Sequence, residues 1–170
     1  IAKYDTLFLK ASVIGGLLAP ISEERINGVN VNMVVAQRGM RIAERKEDAS
    51  EAYRNLLTVE LTTSAGTTVV AGTSVMGRCH IVRINDYWMD VSVANGHMLL
   101  IENQDRPGMI GAVGQIAGAN DVNISFMEVG RLAKRGHAMM ALGLDEPMPE
   151  PALNQIRAIP GIIGARLVAV

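Results

Sequence analysis

Residues 97–170 write one pattern twice, strand–helix–strand, and no other feature of the 170-residue chain restricts its fold as tightly. Residues 97–102 are an apolar strand. Arg106-Pro107-Gly108 then opens a helix, with proline in its first turn, where a missing N–H costs nothing. Met109, Val113, Ile116 and Ala117 recur at helical spacing and give that helix one apolar stripe; Gly118-Ala119-Asn120-Asp121 ends it. Strands follow over 122–129 and 137–144, joined through 130–136. Pro149 starts a second helix with Leu153, Ile156 and Ile159 inward, Pro160-Gly161 stops it, and 162–170 returns as the last strand. The expected product is a four-stranded antiparallel sheet with both helices on one face. Its other face is left uncovered, and its edge strands are free to pair with a second copy.

Residues 1–96 read differently. Asp5-Thr6 caps a helix whose apolar positions are Leu7, Phe8, Ala11, Ile14, Leu17 and Leu18, and Pro20 ends it. A second helix runs through Val31, Val34, Val35 and Met40, after Asn27-Gly28. From Leu56 the pattern turns to strands, over 58–63, 67–72, 79–85 and 88–93, with turns at Ser64-Ala65-Gly66 and Asn85-Asp86. Ala94-Asn95-Gly96 is a turn, and His97 marks the divide. The chain therefore reads as α+β, a mixed α/β domain over 1–96 followed by a βαββαβ domain over 97–170.

Composition excludes several classes. Apolar residues are 49% and charged residues 19%, too apolar for a disordered chain. Net charge is −1 with no basic tract, so nucleic acid has no electrostatic footprint to find. The single cysteine, Cys79, rules out a disulfide within the chain and a cysteine-based metal site, and fits a reducing cytoplasm. No apolar run reaches the ~18 residues that cross a bilayer. The start, Ile1-Ala2-Lys3-Tyr4, has neither an initiator Met nor a signal-peptide pattern, and reads as cut from something longer.

No catalytic constellation is present. His80, His97 and His137 share no metal spacing, and nucleophile-elbow and phosphate-loop motifs are missing. Gly108-x-x-Gly111-x-x-Gly114 matches a dinucleotide fingerprint only loosely, without its paired glycines or an acidic ribose partner. Asp145-Glu146, beside Pro147, reads as a solvated loop. The informative stretch is Asn103 to Gly111. A helix start carries unpaired N–H groups and a positive dipole end, which attract a carboxylate. Pro107-Gly108 lets the backbone approach a ligand, and Asp105 can pair with an ammonium group. Together these make a receptor for a zwitterion. The competing reading of Asp105 is a plain N-cap of the helix, worth about 1 kcal/mol.

The segments 97–111, 122–125 and 141–147 resemble the ACT domain that ends many phosphoglycerate dehydrogenases, a ferredoxin-like βαββαβ fold. Upstream, Leu9-Lys10-Ala11, Gly15-Gly16-Leu17-Leu18, 27–33, Ala36-Gln37-Arg38-Gly39 and the stretch from Gly72 to Asn85 resemble the intervening allosteric domain of the long-form enzyme. The resemblance implies a cytoplasmic enzyme of serine biosynthesis that oxidises 3-phosphoglycerate with NAD and is inhibited by L-serine. NAD and substrate belong to domains preceding this region, so this chain alone is expected to have no dehydrogenase activity, no cofactor and no metal. By resemblance, L-serine sits between paired ACT domains of a homo-oligomer, dimer or tetramer. Asn103, Asp105 and the backbone over Pro107, Gly108, Met109 and Ile110 come from one subunit, and Asn123 from the other. Asn123 also reads as a strand-end residue bonding its own backbone. A second effector, phosphate or another anion, is implied on the intervening domain, with Arg78, His80 and Arg83 as candidates. Strand alternation puts Arg83 on the opposite face from Arg78 and His80 unless a bulge intervenes, and a solvated strand face is the competing reading. The runner-up is the β part of an iron–sulfur L-serine dehydratase, which shares this pair of domains. The third reading is an assembly domain without a ligand.

Overall fold

The computed structural model describes residues 5–47, 53–93 and 96–169. They form two compact units, one ending at Val59 and the other beginning at Glu60. Of the turn expected at 94–96, residues 94 and 95 lie outside the described residues, as does Val170 at the end of the last strand.

In the first unit, helix α1 (Leu7–Leu18) starts where Asp5 Oδ1 accepts the Leu7 N–H at 2.9 Å. It buries Ala11, Ile14 and Leu18 and ends in a short 3-10 turn, Ala19–Ile21, built on Pro20. Asn27 and Asn30 then satisfy each other's backbone: Asn27 Oδ1 accepts the Val29 N–H and Asn30 Oδ1 the Asn27 N–H, both at 2.8 Å. That turn launches α2 (Val31–Gln37). The apolar spacing predicts a helix reaching Met40. It stops earlier because Gly39 takes φ +63°, and the Gly39 and Met40 N–H groups turn back to the Ala36 and Val35 carbonyls. Val31 and Val34 of α2 pack with Ala11, Ile14 and Leu18 of α1 into a small core.

Strands β1 (Leu56–Thr63), β2 (Gly66–Val75), β3 (Arg78–Ile84) and β4 (Tyr87–Ser92) form a sheet in that order. Met76-Gly77, both at positive φ, turn β2 into β3; Asn85, at φ +51°, turns β3 into β4. Register shifts on both sides of β3, opposite Ala71/Gly72 and at Ile81/Arg83, place a bulge around Val82.

Residues 96–169 give β5 (His97–Gln104), α3 (Met109–Ala119), β6 (Ile124–Arg131), β7 (His137–Leu144), α4 (Glu150–Arg157) and β8 (Ile162–Ala169). The second sheet runs β6-β7-β5-β8, all antiparallel. This is the expected double βαβ. Leu99, Ile101, Met140 and Leu142 meet Val113, Ala117, Leu153 and Ile156 of the two helices in the main core. The fold class is α+β, with the second sheet and its helices in a ferredoxin-like arrangement.

Two expectations need correcting. The sheet face away from the helices is not bare. Tyr87, Met89 and Val91 of β4 pack there on Met98, Met139 and Ala141, with Phe126 and Leu100 at the margin. β4 comes so close to β6 that a Cβ on Gly130 would stand 2.8 Å from the Trp88 carbonyl oxygen. The alternating apolar pattern of β4 is legible in sequence, but not which sheet receives it. The second correction concerns α3. It starts at Met109, with Gly108 at φ +89° as its N-cap, so Pro107 lies before the helix and not in its first turn.

Candidate functional site

Asn103 lies near the end of β5, on the helix-facing side with Leu99 and Ile101, and is 2% exposed. Its Nδ2 donates to the Gln104 carbonyl at 2.9 Å. A carbonyl can only accept, so Oδ1 is the atom left over, and this buried oxygen has no partner among the described residues. Buried polar atoms are rarely left so, and the exception calls for an explanation.

Two residues on, Asp105 does not cap α3, which corrects the capping alternative. Asp105 Oδ2 accepts the Arg135 backbone N–H at 3.1 Å and the Arg131 guanidinium at 3.3 Å. These bonds hold its carboxyl below the usual carboxylate range, the Arg135 N–H being the larger influence. They also fix the β6–β7 hairpin, where Arg135 adopts φ +60°, and the Asp105 N–H donates to Gly136 at 2.8 Å. Among the described residues Oδ1 of Asp105 has no partner. Neither do the N–H groups of Gly108, Ile110 and Gly111; only Met109 and Ala112 of this turn are bonded, to Arg106 and Gly108. Among the described residues, the segment from Asn103 to Gly111 thus carries unpaired donors on its backbone and unpaired acceptors on Asn103 and Asp105.

Asn123 stands at the other end of the helix, just before β6. Its Nδ2 donates to Asp145 Oδ2 at 2.6 Å, its backbone N–H to Glu146 Oε2 at 3.0 Å, and its carbonyl accepts the Asp145 N–H at 3.1 Å. Asp145 and Glu146 are therefore partners of Asn123, not merely a solvated loop. The pairing spans more than twenty residues, and no local pattern announces it. Eleven residues of helix separate the two clusters, about 16 Å at 1.5 Å per residue. Within one chain, no amino acid could touch both.

The bulge in β3 resolves the placement of the three cations. Ile81 and Ile84 both face the second sheet, three residues apart, so Arg83 shares the outward face with Arg78 and His80. Two of the three are already engaged. His80 Nδ1 meets Asp90 Oδ1 at 2.6 Å; Arg83 bonds the Asn85 carbonyl, reaches Asp86 at 3.8 Å and lies 5.6 Å from the centre of the Trp88 ring. The glycines of the loose dinucleotide match give no phosphate loop, because Gly111 and Gly114 sit inside α3. No helix among the described residues is long and apolar enough to cross a membrane.

Comparison with known proteins bears on this arrangement. The family described as D-3-phosphoglycerate dehydrogenase intervening domain matches residues 1–85, and the ACT domain matches residues 97–161. The chain belongs to the D-3-phosphoglycerate dehydrogenase family. It is 34% identical to D-3-phosphoglycerate dehydrogenase of Bacillus subtilis over 99% of this chain and 32% of the relative. The Archaeoglobus fulgidus enzyme of that name is 33% identical over the same shares, and that of Synechocystis sp. 35% identical over 94% of this chain and 29% of its own length. The chain thus spans about a third of the dehydrogenases it matches. The Asn103–Gly111 cluster and Asn123 both fall inside the ACT match, and Arg78, His80 and Arg83 inside the intervening-domain match.

Proposed function

We propose that this chain is the regulatory portion of a D-3-phosphoglycerate dehydrogenase and that paired ACT domains bind L-serine for feedback inhibition. The supporting observation is the set of unpaired groups at the start of α3. The N–H groups of Gly108, Ile110 and Gly111, at the positive end of the helix, receive a carboxylate. Asn103 Oδ1 and Asp105 Oδ1 receive the ammonium. Asn123, about 16 Å away along its own helix, completes the site of a second copy and not its own. Pairing along the sheet edge at β6 brings Asn123 of one copy toward the α3 start of the other, so the site requires a homo-oligomer, dimer or tetramer.

In this reading the parent enzyme is cytoplasmic, belongs to serine biosynthesis and oxidises 3-phosphoglycerate. NAD supplies hydride acceptance in the region preceding this one, and no residue here is assigned to it. Serine, bridging two copies, favours one relative placement of the ACT pair, and through it of the attached catalytic regions. The outward face of β3, where the bulge aligns Arg78, His80 and Arg83, takes a weaker anionic effector such as phosphate, which must compete with Asp86 and Asp90. The relatives' names favour the dehydrogenase over an iron–sulfur serine dehydratase.

Calorimetric titration with L-serine, with D-serine and glycine alongside, tests the main site. Stereoselective binding that disappears in Asp105→Ala is expected. No heat and no thermal shift at millimolar L-serine would overturn the sensor reading and leave assembly as the role of this region.

A further inference from the structure

The amides of Asn103 and Asn123 are polarised alike. In each, Nδ2 is committed to an acceptor of its own chain, the Gln104 carbonyl in one case and the Asp145 carboxylate in the other. Neither acceptor can donate, so neither amide can turn round without bringing two oxygens together. Each therefore offers Oδ1. Asp105 offers carboxylate oxygen as well. The three side chains assigned to the paired site, Asn103, Asp105 and Asn123, thus present acceptors to the ligand, and the donors assigned to it come from backbone.

For Asn103 the orientation is set by burial and a neighbouring carbonyl. Asn123 is exposed, and an exposed amide would otherwise rotate freely. One bond opposes that rotation, Nδ2 to Asp145 Oδ2 at 2.6 Å, while two backbone bonds, the Asn123 N–H to Glu146 at 3.0 Å and the Asp145 N–H to the Asn123 carbonyl at 3.1 Å, keep Asp145 in place beside it. We propose that Asp145 is a positioning residue that locks the Asn123 amide with its oxygen outward, so that the paired site selects a primary ammonium over a hydroxyl at the ligand's α-carbon. A hydroxyl has one hydrogen for several acceptors and leaves lone pairs facing them. An ammonium has three hydrogens and a charge that matches Asp105. This assignment rests on the paired-site reading and adds to it a residue outside ligand contact that decides which α-substituent is accepted.

The test compares L-serine with L-glycerate, the same molecule with hydroxyl in place of ammonium, by calorimetric titration of the whole chain. Asp145→Asn replaces an acceptor-only partner by an amide that can donate or accept, so Asn123 can present either end. Glu146→Gln removes the neighbouring charge while keeping an acceptor for the Asn123 N–H, and so controls for charge alone. In the unaltered chain serine is preferred. Asp145→Asn is expected to reduce the serine-to-glycerate preference about 3- to 10-fold, the worth of one hydrogen bond. Glu146→Gln is expected to change it by less than about 2-fold, since its contact is to backbone. Asp145→Lys, donor-only, should lower the preference further than Asp145→Asn. Equal weakening of both ligands by Asp145→Asn, an unmoved preference, or an equal effect of Glu146→Gln would overturn this assignment while leaving the sensor standing. An unaltered chain that binds no serine would overturn the paired-site reading and this assignment with it.

Discussion

At the scale of single residues, Asn103 joins a cost and a proposed function in one atom. Its Oδ1 is buried without a partner, which costs about 1–3 kcal/mol relative to a satisfied group. The Asn103→Leu variant removes that oxygen while filling similar volume, and gives up only the Nδ2 bond to Gln104. It is expected to raise the urea midpoint by the equivalent of about 1 kcal/mol while L-serine binding weakens. A lower midpoint would mean that the oxygen is not a liability in the free chain. Asp105 gives a pH prediction of definite sign. Its folded-state pKa is depressed below the ordinary 3.8, so the stability and the hairpin order it contributes are complete above that value and are lost only as pH falls through the depressed value. Serine affinity measured between about pH 5 and 7 should therefore show no step from Asp105. In sequence, the Asp105 segment was legible as a carboxylate beside a helix start, the features from which a zwitterion receptor is proposed. Its partners Arg131 and Arg135 were not, because they lie twenty-six and thirty residues on.

At the scale of elements, the helices and strands were largely readable. Alternating and 3.6-residue apolar patterns are local, and so are the punctuating residues Pro20 and Pro160-Gly161. Contact between elements was not. Tyr87, Met89 and Val91 mark one face of β4 as apolar, but nothing local says that it lies on β5 and β7 and closes the face expected to be open. Across the join, Tyr87 Oη donates to Glu102 Oε1 at 2.9 Å. Burial, and then the Glu102 carboxylate, push the Tyr87 phenol up to about 12. The neutral phenol is thus favoured in the folded chain, and its contribution is complete below pH 10 and lost as pH rises toward 12. Tyr87→Phe should cost about 1–2 kcal/mol in chemical denaturation, with an unchanged slope, and should remove that alkaline loss. Close approach sets another limit on β7. A Cβ on Gly143 would lie 2.1 Å from the Phe126 ring. Gly143→Ala is expected to destabilise by about 1–3 kcal/mol, and Phe126→Leu in the same chain to recover part of that loss. Additive losses in the double variant would show that the ring is not the obstacle.

At the scale of the whole molecule, the arrangement of the candidate site is an argument about copy number. Asn103 and Asp105 lie at one end of α3 and Asn123 at the other; under the proposed two-fold pairing, each dimer would contain two composite sites, each made of the α3 start of one chain and Asn123 of its partner. Two damaged chains can then repair each other. A chain carrying Asp105→Ala and a chain carrying Asn123→Ala each bind serine weakly alone, because both composite sites of either homodimer lack one group. In a mixed dimer one site lacks both groups and the other is intact. Random exchange makes about half the dimers mixed, each with one good site of two, so the mixture should regain about a quarter of the unaltered binding capacity at undiminished affinity. Titration before and after subunit exchange measures this directly. Recovered sites of full affinity require that the ligand bridge two chains. If exchange is shown by mass and no capacity returns, Asp105 and Asn123 do not share a ligand. The in-chain bonds of Asn123 to Asp145 and Glu146 would then be its whole role.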